Sequence, residues 1–399
     1  MKKIILSTIC GLLLASNCGL IIAQPKIVKE NVAFADKQLT YSLEQVKAAT
    51  TDKLNNPRTI KDGKLSMAPS WEWTSGFYPG ILWYMYEYTN NPKWLQEARH
   101  FTKLTESQQF VTNTHDMGFK MYCGYGNGYR LTGDTAYQRV LIQSANTLIT
   151  RYNPTVGLIR SWDFNKDRWQ YPVIIDNMMN LELLFWATKA TGDSTYYHIA
   201  YNHAKKTIEN HFRADNSSFH VVDYDTISGQ SRLKQTWQGY ADGSAWARGQ
   251  GWGLYGYTLC YRATGDKSFL EQAKKIEKYI FSHPNMPKDL VPYWDFNDPD
   301  IPNTPRDASA AAIYASALYE LSTYVSKTEA KDYLKKADKI IESLSSPAYR
   351  SPLNENFGFL LLHSTGAKPF KSEVDEPLVY ADYYFLEALL RKNSFAAKR

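Results

Sequence analysis

The chain has 399 residues, a formal charge of +6, four cysteines and an aromatic share of 14% that includes 11 Trp and 29 Tyr. This length carries a large core, the few cysteines exclude a disulfide scaffold, and the small charge argues against a nucleic-acid surface. Aromatic richness on this scale serves sugar-binding sites, and large helical cores also consume it.

The first element is an address. Met1-Lys2-Lys3 is basic, Ile4 to Ile22 is mostly apolar, and Ala23-Gln24 offers a cleavage point after a small residue. This predicts a secretory signal peptide over 1–23, not a membrane span. Cleavage removes Lys2 and Lys3 and lowers the charge from +6 to +4. It leaves Cys123 and Cys260, between which one bridge is possible. Asn17 stands where a lipid-attachment signal before Cys18 takes a small residue, so a lipid anchor is disfavoured. The expectation is an exported, periplasmic chain with no membrane insertion after cleavage and no nucleic-acid partner. Residues 24–399 show no Pro/Ser/Gly linker and are read as a single domain; oligomeric state has no sequence signal.

Apolar periodicity with cap signals predicts twelve helices, at 37–53, 73–89, 93–110, 117–131, 135–151, 176–190, 194–212, 243–263, 267–282, 307–325, 329–345 and 378–391. A turn repeats between them: Thr132-Gly133-Asp134, Thr191-Gly192-Asp193 and Thr264-Gly265-Asp266. Each ends one helix on a Gly and opens the next. The spacing is too uneven for a uniform solenoid. Twelve helices joined as six hairpins predict an all-α fold, the (α/α)6 barrel, with small-rich helices such as Ala308-Ser309-Ala310-Ala311-Ala312 inside. An open solenoid would need polar capping repeats, and the sequence has none.

Four predicted inner helices have an Asp at or near the start: Asp116, Asp176, Asp242 and Asp307. Capping explains all four equally well. Asp176 stands out because Val173-Ile174-Ile175 delivers it and Asn177-Met178-Met179-Asn180 follow, where a purely structural helix takes Ala or Leu. Two carboxylates on converging helices, Asp116 and Asp176, would push their proton affinities apart. A cup of helix N-termini lined by aromatics suits an anionic ligand. Within 243–263, Ser244, Arg248 and Trp252 fall on one helix face. An Arg there can grip a sugar carboxylate with its fork, or pair with a structural Asp. No His-Glu-x-x-His occurs, and Asp295-Phe296-Asn297-Asp298-Pro299-Asp300 lacks the Gly of a calcium loop and reads as a solvated turn.

The segments His115-Asp116-Met117-Gly118-Phe119, Ile175-Asp176-Asn177-Met178-Met179-Asn180-Leu181 and Ser244-Ala245-Trp246-Ala247-Arg248-Gly249-Gln250-Gly251-Trp252 resemble glycoside hydrolase family 88, the unsaturated glucuronyl hydrolases. Trp73-Thr74-Ser75-Gly76-Phe77-Tyr78-Pro79-Gly80 and Arg306-Asp307-Ala308-Ser309-Ala310 fit the same pattern. The resemblance implies the same barrel, no metal and no cofactor. It implies a substrate bearing a 4,5-unsaturated uronic acid at the non-reducing end, the glycosaminoglycan-type fragment that lyases leave. In that resemblance Asp176 is the acid/base and Asp116 the second essential carboxylate. His220, Gln238 and Arg248 contact the sugar, and Trp71 or Trp73, Trp162 and Trp252 form aromatic walls. Trp246, two residues from Arg248, is expected to face the core. The alternatives are an unsaturated rhamnogalacturonyl hydrolase acting on pectin fragments and a non-catalytic periplasmic glycan-binding protein.

Overall fold

The computed structural model describes residues 24–396; the expected signal peptide and Cys18 lie outside the described residues. Helices come in pairs along the chain. α1 (Lys26–Ala49) precedes α2 (Phe77–Thr89). α3 (Pro92–Lys103) leads to a π-helical segment, Gly118–Gly126, which runs into α4 (Asn127–Thr132). α5 (Thr135–Ile149) leads to a 3-10 turn, Ile175–Asn180, and α6 (Leu181–Thr191). α7 (Ser194–Asn210) precedes α8 (Ala247–Thr264), α9 (Lys267–Ser282) precedes α10 (Ala308–Leu321), and α11 (Lys327–Leu344) precedes α12 (Val379–Ala396).

The second member of each pair lies inside. α2 packs on the Gly118–Gly126 segment, that segment on α6, the Ile175–Asn180 turn on α8, α8 on α10, α10 on α12, and α12 back on α2. The ring therefore closes as the expected (α/α)6 barrel. Burial follows the two layers. α8 is buried continuously from Ala247 to Cys260, whereas α9 buries only a stripe through Phe269, Ala273, Ile276 and Ile280.

The repeated turns do what their sequence predicts. Gly133, Gly192 and Gly265 end inner helices at positive φ (69°, 78° and 72°). Asp134, Asp193 and Asp266 then cap the following helices by accepting from Ala136, Thr195 and Ser268 N–H. These short turns lie at one end. The long connections at the other carry short strands: hairpin β1 (Asn56–Lys61) and β2 (Lys64–Ala68), hairpin β3 (Tyr152–Asn153) and β4 (Leu158–Ile159), a three-stranded antiparallel sheet of β5 (Pro172–Ile174), β6 (Val221–Tyr224) and β7 (Ser231–Gln235), and hairpin β8 (Ser364–Ala367) and β9 (Ser372–Glu376).

Several helix limits differ from expectation. α1 begins at Lys26, not at 37, because the buried stripe of Ala35, Leu39, Leu43 and Val46 extends back to Val28. The range 93–110 divides into α3 and a 3-10 turn, Glu106–Phe110. Cys123 and Cys260 are both buried free thiols, so no bridge joins them. No helix among the described residues is long and apolar enough to cross a membrane.

One close approach sets the geometry of the cup. A side chain on Gly118 would bring its Cβ to 2.7 Å from Asn180 Cα, so only Gly lets the π-helical segment meet the Ile175–Asn180 turn. Asn180 Oδ1 seals the junction by accepting from Phe119 N–H at 3.1 Å. Gly118→Ala is expected to destabilise the fold by about 1–3 kcal/mol, the usual cost of overpacking. Urea unfolding measures this, and a variant as stable as wild type would show that the junction gives way without cost.

Candidate active site

The three-stranded sheet assembles one side of the cup. Ile174 pairs with Val221, and Val221 with Gln235. This register sets the residues just beyond the strand ends, Asp176, His220 and Gln238, at one edge, and Ile175 N–H donates to His220 C=O at 3.0 Å. Sequence periodicity carries no register information between distant strands.

Asp176 is not a helix cap. It sits inside the 3-10 turn, which has no side-chain cap. The residues after it have structural tasks. Asn177 donates to Ile159 C=O at 2.9 Å, Asn180 holds Phe119, and Met178 fills the space that Gly256 leaves. The unusual side chains thus fix the turn that carries Asp176.

Burial pushes the Asp176 carboxyl up to about 7. The Arg248 cation opposes this, and the Asp116 charge adds to it. Like-charge repulsion from Asp116, the cause expected from the sequence, contributes to the rise, but desolvation is the larger cause.

His220 is fixed in one tautomer. Its Nδ1 accepts from the N–H groups of Trp237 and Gln238, both at 3.1 Å, so the proton lies on Nε2. Nε2 is 3.7 Å from Asp176 Oδ2. Burial, helped by Arg248, drives the imidazole down to about 3, so it stays neutral and donates only from Nε2. Gln238 is half-buried beside it.

Asp116 is half-buried and also caps nothing. Its Oδ2 accepts from Thr114 Oγ1 at 2.7 Å, and His115 Nε2 is 3.2 Å from Oδ1. His115 is buried, and burial lowers its pKa. Lys120 is wholly buried, donates to Gln108 Oε1 at 2.9 Å, and is pushed down to about 8 by burial, against the pull of Asp116 and Glu72. From the sequence, His115 is singled out only as the head of the segment around Asp116, without a task of its own, and Lys120 not at all. The signal for Lys120 was present: a lone Lys in the apolar stretch Gly118-Phe119-Lys120-Met121.

Three expectations need correction. Arg248 is 1% exposed and not a free fork. Nη1 donates to Asp307 Oδ2 at 2.8 Å and to Thr365 C=O, and Nη2 donates to Gly366 C=O. It therefore ties α8 to α10 and to the β8–β9 hairpin, and its charge reaches Asp176 from there. Ser244 precedes α8, so it shares no helix face with Arg248; it donates to Asp295 Oδ2 at 2.7 Å. The run from Asp295 to Asp300 is no solvated turn. Asp295 is buried and accepts from Tyr240 N–H, Asn297 N–H and Ser244, while buried Asp298 accepts from Lys368 at 2.7 Å.

The four aspartates separate cleanly. Asp307 is a true cap of α10, accepting from Ser309 and Ala310 N–H, and Asp242 accepts from Thr236 N–H ahead of α8. Only Asp116 and Asp176 face the cup without capping.

Among the aromatics, Trp71 is 68% exposed. Trp73 packs against Phe119 and Tyr380, at 5.5 and 5.0 Å. Trp252 is fully buried against Phe119 and Tyr384, with its indole N–H turned toward Asp176. Trp246 is buried under the Arg248 guanidinium and against His220. Trp162 meets the His220 ring edge-on at 5.6 Å.

Asp176 Oδ2, His220 Nε2 and Trp252 Nε1 are buried with no hydrogen-bond partner among the described residues. Buried polar groups nearly always find a partner, so orphans gathered around one carboxyl mark a place for a polar ligand. No group of three or more His, Cys, Asp or Glu among the described residues is placed to hold a metal ion.

The family model for Glycosyl Hydrolase Family 88 matches residues 43–384. The chain belongs to this family. An unsaturated glucuronyl hydrolase of Formosa agariphila is 54% identical over 331 residues, 83% of this chain and 82% of that protein. An unsaturated chondroitin disaccharide hydrolase of Streptococcus pneumoniae is 33% identical over 92% of this chain and 93% of its own. The crystal structure of an unsaturated glucuronyl hydrolase specific for heparin superposes with a TM-score of 0.89 at 47% identity, covering 92% of this chain and 97% of that one. The family 88 chain is thus a glycosidase, and its cup holds a carboxyl group of the proton affinity that acid–base chemistry needs.

Asp116→Asn removes a neighbouring charge and lowers the proton affinity of Asp176. The upper limb of the kcat/KM profile is expected to move to lower pH. It stays well above the ordinary carboxylate value of about 4, because burial is unchanged. A pH–rate series checks this, and a limb that does not move would leave Asp116 no electrostatic part.

Proposed function

We propose that the chain removes the 4,5-unsaturated uronic acid from the non-reducing end of glycosaminoglycan-type oligosaccharides, by adding water across the C4–C5 double bond. The observation that carries this reading is the Asp176 carboxyl, pushed to about 7, with an unpartnered oxygen 3.7 Å from a neutral His220 donor.

The double bond is part of a vinyl ether. Asp176 delivers its proton to C4, and the positive charge that develops at C5 is shared with the ring oxygen. The Asp176 carboxylate then takes a proton from water as its oxygen bonds to C5. The hemiketal opens by breaking the C5–O5 bond, which leaves a ketone at C5 and a hemiacetal at C1. Collapse of that hemiacetal releases the remaining chain as an alcohol. One water is consumed and Asp176 ends protonated, ready for the next cycle. Because one carboxyl group acts at both steps, the distance between two carboxylates does not predict stereochemistry here as it does for ordinary glycosidases. His220 Nε2–H, lying beside Asp176, supports the transient carboxylate.

Relatives named for heparin and for chondroitin disaccharides favour a glycosaminoglycan fragment over pectin. A non-catalytic glycan-binding protein would have no need of a carboxylic acid held near neutrality. Residues 1–23 support export to the periplasm; a mature chain beginning at Gln24 is the expected N-terminal sequence.

Asp176→Asn keeps the volume and removes the proton. It is expected to lower kcat by about 10²–10⁴ with the fold intact. The readout is loss of ultraviolet absorbance from the conjugated C4–C5 bond, with a thermal melt of the same sample. Normal turnover by a folded variant would remove Asp176 from the chemistry.

A further inference from the structure

The aromatic surface continues outward past Trp162. Phe164 stacks on Trp162 with ring centroids 4.9 Å apart, Phe164 approaches Trp237 at 6.1 Å, and Trp237 meets Phe370 at 4.8 Å. Phe164 and Phe370 are 45% and 48% exposed. The three rings come from three connections. Phe164 lies between β4 and β5, Trp237 follows β7, and Phe370 tips the β8–β9 hairpin. Trp237 packs with Trp162 against a small core of Trp169, Ile174 and Val221, but that core does not require Phe164 and Phe370 to join it with nearly half their surface in solvent. Half-exposed rings aligned outward from a carbohydrate cup do have a use, as flat apolar faces for further sugars.

The strip also carries a cation. The Arg168 guanidinium lies over Trp169 at 5.0 Å and over Trp237 at 5.4 Å. Its Nε donates to Gln235 Oε1 at 3.0 Å, and its two terminal nitrogens have no partner among the described residues. Unlike Arg248, this Arg is exposed and holds a fork open to solvent. Two indoles set at 75° to each other and the Gln235 acceptor at Nε confine that fork, and a confined guanidinium suits a carboxylate or a sulfate.

We propose that this strip is a subsite for the third sugar of the substrate chain, with Phe164, Trp237 and Phe370 against its face and Arg168 on its anionic group. The position follows from order along the track. With the unsaturated ring at Asp176 and His220, Trp162, which meets His220 edge-on at 5.6 Å, is assigned to the flank of the next sugar, and Phe164 on its other side begins the strip one ring further out. The inference rests on the reading of function above and adds to it a preference for chains longer than a disaccharide.

The test compares unsaturated disaccharide and tetrasaccharide of one glycosaminoglycan on wild type, Phe370→Ala and Arg168→Gln. Wild type is expected to show a lower KM for the tetrasaccharide. Each variant should raise the tetrasaccharide KM by about tenfold, the size of one charged hydrogen bond or one stacking contact, and leave disaccharide kinetics unchanged. Unchanged disaccharide kinetics also serve as the control for folding. An unsulfated tetrasaccharide, whose third sugar offers only a carboxylate, separates the two anions: an Arg168→Gln effect confined to sulfated chains assigns sulfate. Equal wild-type KM values for both lengths, or variants that weaken both lengths alike, would overturn the subsite. No turnover of the disaccharide by wild type would instead strike the proposed function. The strip would then be judged by calorimetric binding of the tetrasaccharide to wild type and variants, with equal Kd values removing it.

Discussion

Taking a carboxyl group out of water disfavours its charged form, and at Asp176 this effect outweighs a nearby guanidinium. Everything else in the cup either produces that burial or limits it. The Gly118–Asn180 junction brings the π-helical segment against the 3-10 turn and closes one side. Met178 on Gly256 closes another, and the three-stranded sheet brings in His220 as a neutral neighbour. A charged imidazole at that distance would favour the Asp176 anion and leave too little acid at neutral pH.

Arg248 shows how finely the opposing effects are set. A buried ion pair gains little net stability, because desolvation of both partners offsets their attraction. The pair with Asp307 instead fixes positions, since the same guanidinium holds the backbone carbonyls of Thr365 and Gly366. The hairpin at the mouth is thereby tied to the two inner helices, α8 and α10, that start there. With its charge partly neutralised by Asp307, Arg248 moderates the proton affinity of Asp176 without abolishing the rise.

Local chemistry was legible in the sequence. The Thr-Gly-Asp turns announced where inner helices end and outer ones begin, and twelve amphipathic or small-rich stretches implied a closed ring. Asp176 and Asp116 were visible as carboxylates in unusual company. Long-range pairing was not legible. Nothing local tells that Arg248 finds Asp307 or that His220 lies one strand away from Asp176. Nor does local pattern show that Ser244 turns to Asp295 ahead of α8 and not along it. Capping chemistry predicts the same Asp at four helix starts, and only tertiary packing decides that one caps a helix and two are left facing the cup.

Carbon-13 NMR titration of the Asp176 side-chain carboxyl in the ligand-free enzyme, assigned with Asp176→Asn, measures the raised proton affinity directly. A midpoint near 7 is expected. A midpoint near 4, the value of a carboxyl group in water, would contradict it and leave the cup without an acid at neutral pH.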